Sequence, residues 1–305
     1  MSLLALTGAT GFVGSAVLAE ALARGHQVKA LARRDQAPHE GVSWVRGDLD
    51  NTAALANLVN GADAVVHVAG LTNTPDPAAF EAANVTGTAN VIAAMIGAGV
   101  RRLVFVSSLS ARMPVLSAYG ASKAKAEAVV EASGLDWTTV RPPGVYGPRD
   151  SDYLEMFRTA RWGFVPLPPG GASSIIHADD LAHLLVSLAG GHAAATRKQV
   201  YEPDDGREGG WSHKELAAAI GRAVGRDRVF APHLPRAVLE AAATADRMLR
   251  GDKAKLTADR VGYMTHPNWV SRSDRRVPPG IWQPRIEGEE GLRATAEWYR
   301  RAGWL

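Results

Sequence analysis

The chain of 305 residues contains no cysteine. Disulfides, a thiolate nucleophile and cysteine-ligated zinc are thereby excluded. Its nine histidines form no H-E-x-x-H pair, so no catalytic metal is expected. No apolar run reaches the roughly 18 to 20 residues that a bilayer-spanning helix needs. No basic n-region opens the N-terminus as it would in a secretory signal. Together these absences lead to the expectation of a cytoplasmic protein without a membrane partner. Dense charge of one sign is missing too. The net charge is +3, and Arg222, Arg226, Arg228, Arg272, Arg275 and Arg276 are interspersed with Asp227, Asp252, Asp259 and Asp274. A nucleic-acid face needs a basic stripe with interleaved aromatics, so a mixed solvated surface and no nucleic-acid partner are expected.

What is present begins at the first residues. Leu3-Leu4-Ala5-Leu6 reads as a buried strand and runs into Thr7-Gly8-Ala9-Thr10-Gly11-Phe12-Val13-Gly14, followed by an Ala/Leu-rich helix. A strand, a glycine turn and a helix N-terminus together form an anion site. The first glycine permits the tight turn, the second lets backbone N–H groups approach a pyrophosphate, and the third lets helix and strand pack closely. Unpaired N–H groups and the positive end of the helix dipole then favour phosphate. Gly8, Thr10, Gly11, Phe12, Val13 and Gly14 are the resulting candidates for dinucleotide binding.

Strand and helix patterns alternate as far as residue 148. The strand candidates are Leu3–Leu6, Gln27–Leu31, Ser43–Val45, Ala64–Val68, Leu103–Val106 and Trp137–Arg141. Helical stretches lie between them at Ser15–Arg24, Thr52–Leu58, Asn84–Ala98 and Ala118–Ala132. Repeated βαβ units call for an α/β fold with a doubly wound parallel sheet, whose ligands bind at the carboxyl ends of the strands. Beyond Pro148 the pattern loosens. Arg161–Gly171 reads as a loop, Ser174–His177 and Asp179–Leu188 as a strand and a helix, and the remainder as helical pieces ending in Glu289–Arg301. The expected division is a dinucleotide-binding part over 1–148, with 174–200 returning to it. Residues 149–173 and 201–305 then form a smaller, mainly helical substrate-binding part.

An acid at the end of the second strand would bind a ribose 2′-hydroxyl and favour NAD. Here that strand ends Leu31-Ala32-Arg33-Arg34. Guanidinium pairs well with phosphate, so Arg33 points to NADP in preference to NAD, although both arginines can also be read as surface charges. Asp48, in Gly47-Asp48-Leu49, is read either as a contact near the adenine or as an N-cap for the helix from Thr52.

Tyr119 and Lys123 stand at i and i+4 in a helical pattern and share a face. A nearby ammonium stabilises phenolate, which makes Tyr119 a proton donor or acceptor for a carbonyl or alcohol. The preceding strand ends in Val106-Ser107-Ser108, where a hydroxyl can stabilise charge on the same substrate oxygen. Both serines can equally be read as a strand-end turn.

Taken in order, these segments resemble the extended short-chain dehydrogenases/reductases, the superfamily of the NAD-dependent epimerases and dehydratases. The matching runs also include Asp63-Ala64-Val65-Val66-His67-Val68-Ala69-Gly70, Asn84-Val85-Thr86-Gly87-Thr88, Arg141-Pro142-Pro143-Gly144-Val145-Tyr146-Gly147-Pro148 and His177-Ala178-Asp179-Asp180-Leu181. The resemblance implies a Rossmann-type fold and a catalytic trio of Ser108, Tyr119 and Lys123. It implies cofactor contacts at Asp48 and Leu49 for the adenine, and at Val68, Ala69, Gly70 and Ser107 for the central part. Pro142 and Val145 would lie on the nicotinamide side, with Lys123 on the nicotinamide ribose. Asn84 is read as a structural helix residue and Asp180 as a cap or packing anchor. Two departures from the nucleotide-sugar epimerases favour a reductase: the segment from Ser108 to Tyr119 is short, and Gly144 stands where those enzymes usually carry Asn. Hydride transfer between nicotinamide and a small carbonyl or alcohol substrate is therefore the leading expectation. A nucleotide-sugar epimerase or dehydratase with retained NAD and a non-catalytic dinucleotide-binding subunit are the alternatives. Helices 84–98 and 118–132 would form the interface of a homodimer, if the chain forms one.

Overall fold

Side chains alternate across a strand, so a sheet buried on both faces sorts its odd and even residues into two cores. The computed structural model, which describes residues 2–190, 193–251 and 254–305, shows this sorting; Asp252 lies outside the described residues. Leu4, Leu6, Val28, Ala30, Val66, Val104 and Val140 enter one core, while Ala5, Leu31, Val65, Leu103, Phe105 and Trp137 enter the other.

The strands behind this pattern are β1 (Leu3–Thr7), β2 (Gln27–Ala32), β3 (Val42–Arg46), β4 (Ala64–His67), β5 (Arg102–Val106), β6 (Asp136–Val140) and β10 (Gln199–Tyr201). They form one seven-stranded sheet in the order β10-β6-β5-β4-β1-β2-β3, and every pair is parallel. The chain reverses its winding between β1 and β4, which opens a crevice there. Helices α1 (Phe12–Ala23) and α7 (Ala178–Ala189) supply the first core, and α2 (Thr52–Val59), α4 (Gly87–Ala98) and α5 (Ala118–Ala132) the second. The short α3 (Pro77–Phe80) leads through one turn of π-helix, Glu81–Thr86, directly into α4. The fold is a Rossmann-type α/β fold, as the alternating pattern leads one to expect.

Beyond β6 the chain is built from smaller pieces. Strand β7 (Gly144–Tyr146) pairs with β9 (Ile175–His177), and β8 (Ala172–Ser173) lies between β11 (Trp211–Ser212) and β12 (Asn268–Trp269). Helices α6 (Leu154–Ala160), α9 (His213–Ala223) and α12 (Gly288–Arg301) enclose a third core around Tyr146, Phe157, Trp211, Ile220, Leu292 and Tyr299. Short α8 (Ala193–Thr196) precedes β10. Helices α10 (Arg236–Arg250) and α11 (Ala258–Met264) share only a small apolar contact of Leu239, Ala243 and Val261. Asp180, at the start of α7, accepts the backbone N–H groups of Arg285 (3.0 Å) and Ile286 (2.9 Å). It therefore anchors the C-terminal segment to the sheet rather than capping its own helix. The stretch 161–171, expected as a loop, carries two single-residue pairings, Phe164 with Phe230 and Leu167 with His233.

Candidate active site

All seven strands of the sheet run the same way, so segments distant in sequence emerge at one edge. The residues after β1, β2, β3, β4, β5 and β6 are Gly8, Arg33, Gly47, Val68, Ser107 and Arg141. Parallel topology alone therefore gathers nearly every candidate named from sequence.

The glycine turn has the shape of an anion cradle. Gly8 has φ +77°, and a Cβ there would come within 2.8 Å of the Ala69 nitrogen. A Cβ on Gly14 would collide with the Gly8 carbonyl. Gly11 is the N-cap of α1 and offers no side-chain cap, so the first-turn N–H groups of Phe12, Val13 and Gly14 are left for a ligand. The residues present fit a dinucleotide pyrophosphate. Val68 and Ala69 face this turn from the end of β4, Gly70 lies beside Asn84 and Lys123, and Thr10 is exposed.

A buried relay fixes the β4 side of the crevice. Thr88 Oγ1 donates to the Asn84 carbonyl at 2.6 Å, which leaves it an acceptor toward His67 Nε2 at 3.0 Å. His67 is thus the Nε2–H tautomer, and its Nδ1 accepts from Thr7 Oγ1 at 2.6 Å. Thr7 Oγ1 in turn accepts the Ala69 N–H at 3.1 Å. Burial, with Lys123 nearby, lowers the His67 pKa to about 3, so the ring stays neutral. Asn84 sits in the π-helical turn; its Nδ2 donates to the Leu71 carbonyl (3.0 Å) and Ser122 Oγ (2.9 Å), and its Oδ1 accepts the Leu71 N–H (2.7 Å). The extra residue of that turn re-aims the Asn84 side chain across the site floor, where it holds the backbone after Gly70.

The end of β2 carries Arg33 and Arg34 into solvent, and neither has a carboxylate partner among the described residues. The neighbouring Asp35 instead pairs with Arg46 at 3.4 Å. Asp48 accepts the N–H groups of Asp50 and Asn51, both at 3.1 Å, and Asn51 Oδ1 caps α2 through Ala54 N–H. The capping alternative for Asp48 is thus corrected to Asn51, which lies one residue before the helix as an N-cap must. Leu49 packs against Gly87, and its carbonyl accepts from Asn90 Nδ2 at 2.9 Å.

Ser108, Tyr119 and Lys123 come together at the ends of β5 and the start of α5. The Ser108 hydroxyl lies close enough to that of Tyr119 to act on its pKa, and Ser108 Oγ accepts from Ser110 Oγ at 2.9 Å. Lys123 is buried and donates to the Val106 carbonyl at 2.7 Å. Its Nζ also lies 4.9 Å from the Phe105 ring centroid. Burial lowers its pKa to about 8 against the opposing pull of Glu127. Tyr119 differs from the expectation that Lys123 would make it more acidic. Burial raises its pKa, the neighbouring Ser108 side chain opposes that only in part, and Lys123 points at the β5 carbonyl instead. The phenol is therefore protonated through the neutral range. Ser107 parts company with Ser108: its hydroxyl is committed to the buried Glu127, and its N–H donates to the Val140 carbonyl at 2.7 Å. Glu127 in turn receives Arg141 at 2.9 and 2.5 Å. Pro142 accepts the Leu109 N–H at 3.1 Å and so fixes the Ser108 loop, and half-buried Val145 follows in β7.

Several residues of the site carry no sequence signal. Asp259 of α11 accepts the Ala118 N–H at 2.5 Å and the Tyr119 N–H at 3.3 Å, at the N-terminus of α5. Tyr119 lies between Phe80 and Tyr263, with centroids 5.8 and 6.1 Å away. Gly262 abuts the Leu116 carbonyl, so α11 occupies the side where the segment from Ser108 to Tyr119 is short. Gly144 likewise has a structural partner: the Tyr153 hydroxyl fills the space a side chain there would need.

A glycine cradle and a set of hydroxyl side chains thus stand at one edge of a Rossmann-type sheet. Residues 8–190 match the NAD(P)H-binding family, and the chain belongs to it, within the extended short-chain dehydrogenases/reductases. It is an NAD(P)-dependent oxidoreductase. Ceramide reductase of Caulobacter vibrioides is 32% identical over 315 residues, covering 99% of this chain and 95% of that protein. The 2-alkyl-3-oxoalkanoate reductase of Stenotrophomonas maltophilia is 32% identical, covering 94% and 96%. Among solved structures, UDP-glucose 4-epimerase of Thermotoga maritima superposes with a TM-score of 0.70 at 20% identity, over 99% of each chain, a likeness of fold.

Proposed function

We propose that the chain is an NADPH-dependent reductase that converts a ketone on a long-chain, lipid-like substrate to a secondary alcohol. The carrying observation is the Ser108–Tyr119 hydroxyl pair at the open edge of the sheet, with Lys123 buried behind it. A carbonyl oxygen placed against both hydroxyls receives two hydrogen bonds that strengthen as negative charge develops on it. Tyr119, kept neutral by burial, holds the proton that this oxygen takes up. Lys123 holds a positive charge beside the Gly70 backbone, where the nicotinamide ribose would lie. Gly8, Thr10, Gly11, Phe12, Val13 and Gly14 would hold the pyrophosphate, and Asp48 and Leu49 the adenine. Val68, Ala69, Gly70 and the Ser107 backbone would hold the central part, and Pro142 and Val145 the nicotinamide side. When bound, the nicotinamide supplies the hydride.

The lipid-like class rests on two supports. The two full-length relatives are reductases named for a ceramide and a 2-alkyl-3-oxoalkanoate. Two walls of Tyr119 are the aromatic rings of Phe80 and Tyr263, with Asp152 and Arg260 farther out and close enough to act on its charge. NADPH is preferred over NADH because Arg33 stands free at the end of β2 while Asp35 is occupied by Arg46. The Tyr153 hydroxyl against Gly144 takes space that a nucleotide-sugar enzyme uses for a polar side chain, which weighs against the epimerase alternative.

The test follows NADPH oxidation with long-chain 3-oxo substrates by the protein and by Tyr119→Phe. Turnover lost in the variant with NADPH affinity held within a few-fold is expected; equal turnover would remove Tyr119 from the chemistry. Stoichiometric NAD that stays bound until the protein is denatured would favour the epimerase or dehydratase instead.

A further inference from the structure

Helix α10 is turned inside out relative to an ordinary surface helix. Its inner stripe, Leu239, Ala243 and Asp246 at i, i+4 and i+7, is all that packs inward. At 100° per residue, Val238, Ala241, Ala242, Ala245, Met248 and Leu249 fall within one arc of about 120° turned away from that stripe, and every one of them is exposed. Met248 is 82% and Leu249 85% exposed. A solvent-facing stripe is normally polar; this one carries no charged residue.

The apolar exposure is concentrated. Among the described residues, eight large apolar side chains are exposed: Val238, Met248 and Leu249 on α10, Phe230 in the segment before it, Trp162 and Phe164 at 162–164, and Ile96 and Val115 elsewhere. Phe164 pairs with Phe230, and Leu167 with His233 just before α10 begins. Aromatic side chains with one apolar face suit the boundary between headgroups and acyl chains.

Charge on α10 sits off this face. Arg236, Glu240 and Arg247 lie across the helix from it, and Arg250 closes the C-terminal turn. Arg236 is paired with Glu240 and Arg250 with Asp246, whereas Arg247 has no carboxylate partner among the described residues. An apolar face with arginines on the opposite, polar face is the pattern of a helix lying in the plane of an anionic lipid surface. No described helix is long and apolar enough to cross a membrane, so such a contact is peripheral. The sequence-based expectation of no membrane partner followed from the lack of a spanning segment and did not address this case.

We propose that α10 docks the enzyme on an anionic lipid surface, with its Val238–Leu249 face among the acyl chains and Arg247 toward the headgroups. The choice of a bilayer over another occupant rests partly on the lipid-like substrate proposed above. Position adds to it: the inner stripe of α10 packs on Val261 of α11, two residues before Tyr263, which lies against Tyr119. One helix layer thus separates the exposed apolar face from the catalytic tyrosine.

The experiment is flotation with vesicles of phosphatidylcholine alone and of phosphatidylcholine mixed with phosphatidylglycerol. The variants are Met248→Glu with Leu249→Glu, and separately Arg247→Glu. The unaltered chain is expected to float with the mixed vesicles. The double variant should bind them about tenfold more weakly or worse, and Arg247→Glu should lose the salt-sensitive part. NADPH titration, unchanged in both variants, shows that the fold is intact. A chain that stays below the gradient with mixed vesicles overturns the proposal, as does a double variant that floats equally well. A dimer that the double variant converts to monomer, without vesicle binding, assigns the face to a second copy. Turnover of a short-chain soluble 3-oxo substrate is followed in parallel. Its absence with intact flotation defeats the reductase reading alone, and turnover without flotation defeats the docking alone.

Discussion

Replacing Asp259 by Ala isolates the contact that couples α11 to the N-terminus of α5, which carries Tyr119. Three N–H groups of the first turn of α5 need partners. Ser117 Oγ takes that of Gly120 at 2.9 Å, and Asp259 takes those of Ala118 at 2.5 Å and Tyr119 at 3.3 Å. A hydrogen bond to a charged group contributes about 1.5 to 3 kcal/mol, and a carboxylate at a helix N-terminus a further 0.3 to 1, roughly. The second contact is long and all three residues are half-buried, so water recovers part of the loss. A net cost of about 2 kcal/mol follows, equivalent to about 30-fold in the docking equilibrium of α11 on α5. Amide hydrogen exchange should therefore accelerate about 30-fold at 117–120 and 254–264 while the central strands keep their protection. Catalytic efficiency should fall through misplacement of Tyr119, with NADPH affinity unchanged, because the glycine cradle is formed by β1 and α1. Asp259→Asn keeps one neutral acceptor and should lose about half as much free energy. Exchange in Asp259→Ala indistinguishable from the parent, or a fall in NADPH affinity as large as that in catalytic efficiency, would refute the reasoning.

Arg33→Ala should weaken NADPH by about tenfold or more and NADH little, as fluorescence titration would read, since only the former has a phosphate for the guanidinium. Equal losses would make Arg33 a plain surface charge. Gly14→Ala runs against helix propensity, which would favour Ala by roughly 0.5 to 1 kcal/mol. Because its Cβ collides with the Gly8 carbonyl, the expected sign in urea unfolding is destabilisation by about 1 to 3 kcal/mol, with loss of dinucleotide binding. Lys123 gives a pH signature. Its pKa is about 8 in the folded chain against the ordinary 10.5, so between those values the unfolded chain binds more protons and stability rises with pH. The slope approaches about 1.4 kcal/mol per pH unit. Above pH 10 the raised Tyr119 pKa acts in the opposite direction, because the folded chain then retains the proton. Urea unfolding at pH 7 to 10, compared with Lys123→Met, separates the Lys123 contribution; parallel profiles for the two proteins would place Lys123 in contact with water.

The nucleotide half was legible because its signals are local or short in range. Period-two apolar strands, the glycine turn and the i, i+4 pair of Tyr119 and Lys123 each lie within one element. Parallel βαβ winding then carries their ends to one edge without further information. Strand limits differed from the expected ones by only a residue or so, as at Leu3–Thr7 and Asp136–Val140. The turn of π-helix at Asn84 escaped notice because it changes the winding of a helix without changing its composition. The direction of the Lys123 ammonium was equally hidden: spacing puts it on the face of Tyr119, but the desolvated Val106 carbonyl claims its hydrogen bond. Asp259, Tyr263 and Tyr153 reach the site from elements whose approach depends on packing across more than a hundred residues or on a side chain filling the space beside Gly144. Sequence by itself determined the sheet, the cradle and the candidate chemistry, since backbone geometry and periodicity encode them locally. Which side chains wall the substrate, which helix positions Tyr119 and which face of α10 is left to solvent were decided only in the tertiary structure, because burial belongs to the packed chain and not to any residue in it.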